Sequence, residues 1–164
     1  MSNMMDIATF KSCAEKLPSR MSVLLRGDHG IGKSHSVFQL GDFFGLTVID
    51  RRLSQMSEGD MIGLPKVEDG VTKFLPPDWY MEACREPRLL FLDELNRATP
   101  EVMQAAFQIV LDRQLNGHKL HKDSRVFAAI NASHNYSVNE VDPALLDRDR
   151  KSTRLNSSHV SESR

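Results

Sequence analysis

Apolar residues along this 164-residue chain cluster in short continuous runs, separated by segments in which they recur at helical spacing. Val23-Leu24-Leu25 marks a short buried strand at about Ser22 to Arg26. Ahead of it, Ala8 to Leu17 predicts a short helix stopped by Pro18. From Lys33 to Phe44 the apolar positions Val37, Leu40, Phe43 and Phe44 make one helical face. Gly41 weakens that helix and Gly45 ends it, and Leu46-Thr47-Val48-Ile49 then predicts a second strand. Strand, helix, strand in this order is a right-handed βαβ crossover, which requires a parallel sheet.

Beyond the second strand the pattern becomes irregular. Ser54 to Leu64 carries polar and Met residues, and Val67 to Leu75 predicts a hairpin turning at Glu68-Asp69-Gly70, so residues 54–75 form an insertion. Pro77 opens a helix through Asp78, Trp79 and Tyr80 that ends before Pro87, with Trp79 as a packing anchor. Leu89-Leu90-Phe91-Leu92 is apolar without alternation, as in a parallel strand covered on both faces. Thr99-Pro100-Glu101 starts a helix with the buried stripe Val102, Ala106, Ile109 and Val110. Asn116-Gly117 signals a turn within a hairpin at 113–125, and Val126 to Ile130 predicts a strand ending on Asn131. Asp142-Pro143 opens a last short helix, Ala144 to Arg148. The expected class is α/β, a three-layer αβα domain around a parallel central sheet.

Composition narrows this further. A chain with 40% apolar and 26% charged residues suits one soluble domain. No run approaches 18 apolar residues and the N-terminus lacks a basic-then-apolar leader, so a cytoplasmic protein without a membrane partner is expected. Cys13 and Cys84 lie far apart without metal-type spacing and are expected to be reduced thiols with no chemistry. From Asp149 onward, eleven residues (Asp-Arg-Lys-Ser-Thr-Arg-Leu-Asn-Ser-Ser-His) agree with an in-frame translation of a widely used sequencing-library adapter. Residues 149–164 are therefore set aside as an artefactual, disordered tail, and residues 1–148 are taken as the domain. The formal charge of −1 becomes −3 without the tail, from 17 basic and 20 acidic residues, so nothing draws the chain generally toward nucleic acid. A local basic patch remains at Arg113, His118, Lys119, His121, Lys122 and Arg125, either a solvated hairpin or a contact for a polymer or partner.

The chemistry begins at Gly27-Asp28-His29-Gly30-Ile31-Gly32-Lys33-Ser34, which fits G-x-x-x-x-G-K-[ST] between a strand and a helix. Glycines let the backbone wrap phosphates so that N–H groups and a helix N-terminus face the anion. Lys33 is placed to reach the β- and γ-phosphates and Ser34 to offer its hydroxyl to Mg²⁺. About sixty residues on, the strand Leu89 to Leu92 delivers Asp93-Glu94 at its C-terminal end, where ligands bind in open α/β sheets. An acidic pair after a strand is on its own a solvated strand end. With the glycine loop upstream it reads as a Walker B pair, Asp93 for Mg²⁺ and Glu94 for polarising the attacking water. Asn131 ends the next core strand, and its amide can hydrogen-bond that water or the γ-phosphate. Arg148 could stabilise a transferring phosphoryl group bound to a neighbouring subunit.

Taken in order, Gly27 to Ser34, Leu89 to Glu94 with Leu95-Asn96-Arg97-Ala98, the strand Phe127-Ala128-Ala129-Ile130-Asn131-Ala132 and Asp142-Pro143-Ala144-Leu145-Leu146-Asp147-Arg148 resemble AAA+ ATPases of the MoxR type. Met61-Ile62-Gly63-Leu64-Pro65 and the basic hairpin are similar to that clade's helix-2 insert and pre-sensor-1 hairpin. The resemblance implies a P-loop core that binds ATP with Mg²⁺, hydrolyses it in a ring often of six subunits, and remodels a protein partner or adaptor. It makes Asn131 the sensor-1 residue and Arg148 the trans-acting finger. The Phe that follows that arginine in the family is replaced by Asp149, and the helical lid with its sensor-2 arginine is missing, which implies a truncated core. Two other functions fit the residues: a nucleotide-dependent assembly module without turnover, and a DNA-acting motor or loader using the basic hairpin.

Overall fold

The computed structural model describes residues 6–28 and 30–131. His29, Arg148, the helix expected at Ala144 to Arg148 and the segment 149–164 lie outside the described residues. The chain opens with α1 (Ile7–Lys16), capped by the Asp6 carboxylate, which accepts from the Thr9 N–H at 2.7 Å. β1 (Val23–Gly27), α2 (Lys33–Phe44) and β2 (Val48–Arg52) follow as the expected βαβ unit. Next come α3 (Glu58–Ile62), the hairpin strands β3 (Leu64–Glu68) and β4 (Val71–Leu75), α4 (Asp78–Arg85) and β5 (Leu89–Asp93). Then α5 (Pro100–Phe107) runs into a π-helical turn at Gln108–Asp112, a small hairpin of β6 (Gln114–Leu115) and β7 (His118–Lys119) follows, and β8 (Arg125–Asn131) completes the described chain.

Four strands form one parallel sheet in the order β1-β8-β5-β2. The last described strand is thus inserted between the first and the Asp93 strand. Side chains alternate across it. Leu89, Phe91, Phe127 and Ala129 pack with Ala14 of α1 and Val37 and Leu40 of α2 on one face. Leu90, Leu92, Val126 and Ala128 pack with Trp79, Tyr80 and Ala83 of α4 and Val102, Ala105 and Ala106 of α5 on the other. Helices on both faces of a parallel sheet give the expected three layers and explain why Leu89 to Leu92 shows no polar alternation. Trp79 anchors the second core, with its indole N–H donating to the Asp60 carbonyl at 3.1 Å.

The boundaries of two strands differ from the sequence pattern by more than one residue. β2 starts at Val48 rather than Leu46, because α2 closes on a left-handed Gly45 (φ 65°) with the Leu46 N–H bonded back to the Gly41 carbonyl. It then runs through the charged residues Asp50 to Arg52, since β5 offers partners as far as Asp93. Gly41 also has a packing role: a Cβ there would sit 2.4 Å from Val48 Cγ2, so the small residue lets α2 lie close on β2. The hairpin β3–β4 begins three residues earlier than Val67, turns through left-handed Asp69 and Gly70 (φ 53° and 74°), and exposes every residue of both strands. Its base is closed by Gly63, whose backbone (φ 92°, ψ −170°) belongs to glycine alone.

Candidate nucleotide site

Period-two alternation decides which side chains meet at the C-terminal edge of the sheet. Gly27, Asp93 and Asn131 each stand an even number of residues from Val23 and Leu25, Leu89 and Phe91, and Phe127 and Ala129, the residues facing α1 and α2. All three therefore fall on the α2 face, and register pairs Gly27 directly with Asn131.

Between β1 and α2 the loop turns through Gly30 and Gly32, both left-handed (φ 82° and 87°). Gly32 is the N-cap of α2 and offers no side chain, so the first N–H groups of the helix have neither an intrahelical nor a side-chain acceptor. That is a built anion site. A Cβ on Gly27 would lie 2.3 Å from Ile31 Cδ1, so the loop folds on itself only with glycine at its start. Lys33, on the first turn, donates to the carbonyls of Gly27 and Asp28, both at 2.8 Å, and to Asn131 Oδ1 at 3.0 Å. Burial pulls the Lys33 ammonium below its ordinary pKa, while Asp93, Asp28 and Glu94 act to keep it charged. Ser34, partly buried, is the next residue of the same turn.

Opposite the loop, the Asp93 carboxylate accepts the Glu94 N–H at 2.8 Å. Glu94 is left-handed (φ 56°) and 7% exposed, and it ends the strand. A non-glycine residue there costs about 1–2 kcal/mol, and such strain gathers at functional sites. The Ser54 hydroxyl, just past β2, donates to Glu94 Oε2, and Arg97 Nη1 lies 3.9 Å from Glu94 Oε1. Asp50 of β2 stands beside these acids. Burial and then the Asp93 charge push its carboxyl pKa up, against the pull of Arg52 and Arg51.

Asn131 is 6% exposed and its backbone is paired in an unusual way. Asn96, in the turn after Glu94, donates from Nδ2 to the Asn131 carbonyl at 2.9 Å and accepts the Asn131 N–H on Oδ1 at 3.2 Å. The Asn131 Nδ2 is the one buried side-chain polar atom among the described residues with no hydrogen-bond partner. An orphaned donor beside Lys33 and the glycine loop suits an anionic oxygen, so the residues present fit a nucleotide triphosphate with Mg²⁺. Asp50, Ser54 and Asn96 were not singled out by sequence reasoning. Asp50 lies within β2 and Ser54 just beyond it, neither in a motif, and Asn96 falls in the run after Glu94 with no pattern of its own.

The structure thus brings together Gly27, Asp28, Gly30, Ile31, Gly32, Lys33, Ser34, Asp93, Glu94 and Asn131 at one sheet edge, while His29 and Arg148 fall outside the described residues. The basic segment 113–125 does not present its arginines as a patch. Arg113 turns inward to the carbonyls of Ser19, His121 and Ser124 at 2.9, 3.3 and 2.6 Å, and Arg125 lies 3.7 Å over the Phe44 ring while donating to the Leu17 carbonyl. Cys13 and Cys84 are free thiols, and no group of acids, histidines and cysteines among the described residues forms a metal cluster of its own. No helix among them is long and apolar enough to cross a membrane.

The profile of the AAA domain family, dynein-related subfamily, matches residues 22–148, from the first sheet strand through Asp93 and Asn131 to Arg148. The chain belongs to this family. As an AAA domain it is a P-loop ATPase domain, and nucleotide binding and hydrolysis are the family's general chemistry. Solved structures agree on the fold. The AAA domain is similar to a "putative ATPase" from Cytophaga hutchinsonii, with a TM-score of 0.56 and 18% identity over 86% of this chain and 43% of that one. It is also similar to NtrX from Brucella abortus, crystallised with ADP, with a TM-score of 0.53 and 14% identity over 81% of this chain and 31% of NtrX. This AAA domain therefore spans less than half the length of either protein.

Proposed function

We propose that this AAA domain binds ATP with Mg²⁺ and hydrolyses it, as the core of a MoxR-like, ring-forming ATPase that remodels a protein partner. The observation that carries the reading is the convergence of Lys33, Asp93, Glu94 and Asn131, from two strand ends and a helix, on one corner with an orphaned amide donor. The loop N–H groups from Gly27 to Gly32 and the Lys33 ammonium hold the phosphates. Ser34 and Asp93 hold the metal, which supplies charge neutralisation at the phosphate oxygens. Glu94 takes the proton of the attacking water, and Asn131 Nδ2 orients that water or the γ-phosphate. Arg148 acts in a neighbour's site.

The protein partner is supported by the exposed apolar hairpin, where Leu64, Val67, Val71, Phe74 and Leu75 are 43–72% exposed. The inward-turned Arg113 and Arg125 weigh against a DNA-acting motor. Domain limits of 1–148, an artefactual tail from 149 and a cytoplasmic location belong to the same reading. Fluorescent ATP titration with Mg²⁺ tests binding on this chain, and phosphate release, measured on it and on a reading frame continued past Arg148, tests turnover. Tight binding without release in both would favour the assembly module instead, and absence of binding would sink the site.

A further inference from the structure

Asn131 ends its strand where a neighbour is missing. In a strand the N–H and C=O of one residue point to the same side. β8 pairs with β5 only as far as Leu92 with Ala128, because the chain leaves the sheet at left-handed Glu94. The backbone groups of Asn131 face the gap that β5 leaves. Both are buried, and a buried backbone pair without partners is costly. The carboxamide of Asn96 fills the gap, donating to one and accepting from the other as a strand residue would.

We propose that Asn96 is a positioning residue for the γ-phosphate end of the site: by pairing both backbone groups of Asn131, it fixes where the Asn131 carboxamide points and makes discrimination of ATP from ADP depend on Asn96. Three observations bear on this. Asn96 is 6% exposed, with both polar ends of its side chain engaged on the same residue. Asn131 Oδ1 takes the Lys33 ammonium, which leaves Nδ2 as the single free donor, so a small swing of the backbone would misdirect it. Asn96 also stands two residues after Glu94 on the same turn, which ties the carboxylate and the amide donor into one unit. The inference rests on the proposed role of Asn131.

The test uses this chain with Mg²⁺, and compares binding of ADP with that of a non-hydrolysable ATP analogue bearing an imido bridge. Asn131→Ala is expected to weaken the analogue about tenfold and ADP less than about twofold, the loss of one charge-assisted hydrogen bond. Asn96→Ala should lose the same selectivity, and the double variant should lose no more. A buried substitution can simply unfold a protein, so Asn96→Asp supplies a second readout. Its protonated carboxyl can donate and accept like the amide, whereas its carboxylate would face the Asn131 carbonyl with like charge. Analogue affinity relative to wild type at each pH should therefore recover as pH falls from 8 to 5.5. Unchanged selectivity in Asn96→Ala, or a double variant with additive losses, or a flat pH ratio in Asn96→Asp, would overturn the proposal while Asn131→Ala still shows its effect. If Asn131→Ala itself leaves selectivity intact, the role given to Asn131 fails, and the proposal fails with it.

Discussion

Lys33 and Asn131, 98 residues apart, meet through a 3.0 Å hydrogen bond from the ammonium to Oδ1, so the glycine loop and the end of β8 share one polar centre. The ammonium also holds the loop carbonyls of Gly27 and Asp28, which makes it the element that closes the loop as well as a phosphate ligand.

Replacing Lys33 with Ala should weaken ATP binding by tenfold or more, about the worth of hydrogen bonds to a charged group. The variant's melting temperature should fall only modestly, since of the three acceptors it frees the Asp28 carbonyl is exposed and the Gly27 carbonyl and Asn131 Oδ1 are part-buried rather than sealed. Fluorescent nucleotide titration beside a thermal melt separates the two effects. Retained affinity would remove Lys33 from phosphate binding.

Glu94 and Ser54 call for opposite outcomes. Glu94→Gln should bind ATP as wild type does and lower phosphate release by about 10²-fold or more in a turnover-competent form, the usual contribution of a general base. Ser54→Ala releases Glu94 Oε2 from the hydroxyl and should leave binding unchanged while raising basal release several-fold. A Ser54→Ala protein with wild-type turnover would show that this contact does not restrain the carboxylate.

Arg113→Met keeps length but strands three carbonyls that the guanidinium now holds, and should cost about 2–4 kcal/mol by chemical denaturation. Lys119→Ala and Lys122→Ala, on exposed positions, should stay within about 0.5 kcal/mol of wild type. Equal effects at the three positions would contradict the inward role of Arg113.

Gly63→Ala would place a Cβ 1.8 Å from the Leu75 carbonyl oxygen on a backbone that only glycine adopts, at a cost of about 1–3 kcal/mol before the clash is counted. The hairpin packs outside both cores, so the expected result is faster proteolysis within residues 64–75 with little change in the melt of the sheet. A protease-resistant hairpin would refute this.

Asp60 caps α3 by accepting from the Ser57 N–H at 3.0 Å and hydroxyl at 2.6 Å, which lowers its carboxyl pKa below the ordinary 3.8. A pKa lower in the folded than in the unfolded state adds stability above the unfolded value, and that stability is lost as pH falls through the folded one. Amide exchange of residues 58–63 should therefore accelerate below about pH 4 in wild type. The same residues in Asp60→Asn should show no such acid-side change beyond the intrinsic rate.

The sequence by itself determined the local and periodic features: the glycine loop between strand and helix, the apolar runs that had to be strands covered on both faces, and the turns at Asp69-Gly70 and Asn116-Gly117. Only the tertiary structure decided what depends on strand order. Insertion of β8 between β1 and β5 brought Asn131 to Lys33, and the early departure of β5 at Glu94 left the backbone pair that Asn96 fills. The inward turn of Arg113 and Arg125 was equally invisible, because a basic run reads alike whether its charges meet water or buried carbonyls. Period and spacing constrain a chain along its own length. Which strands become neighbours is settled by burying both sheet faces at once, and the polar partners at the sheet edge follow from that packing.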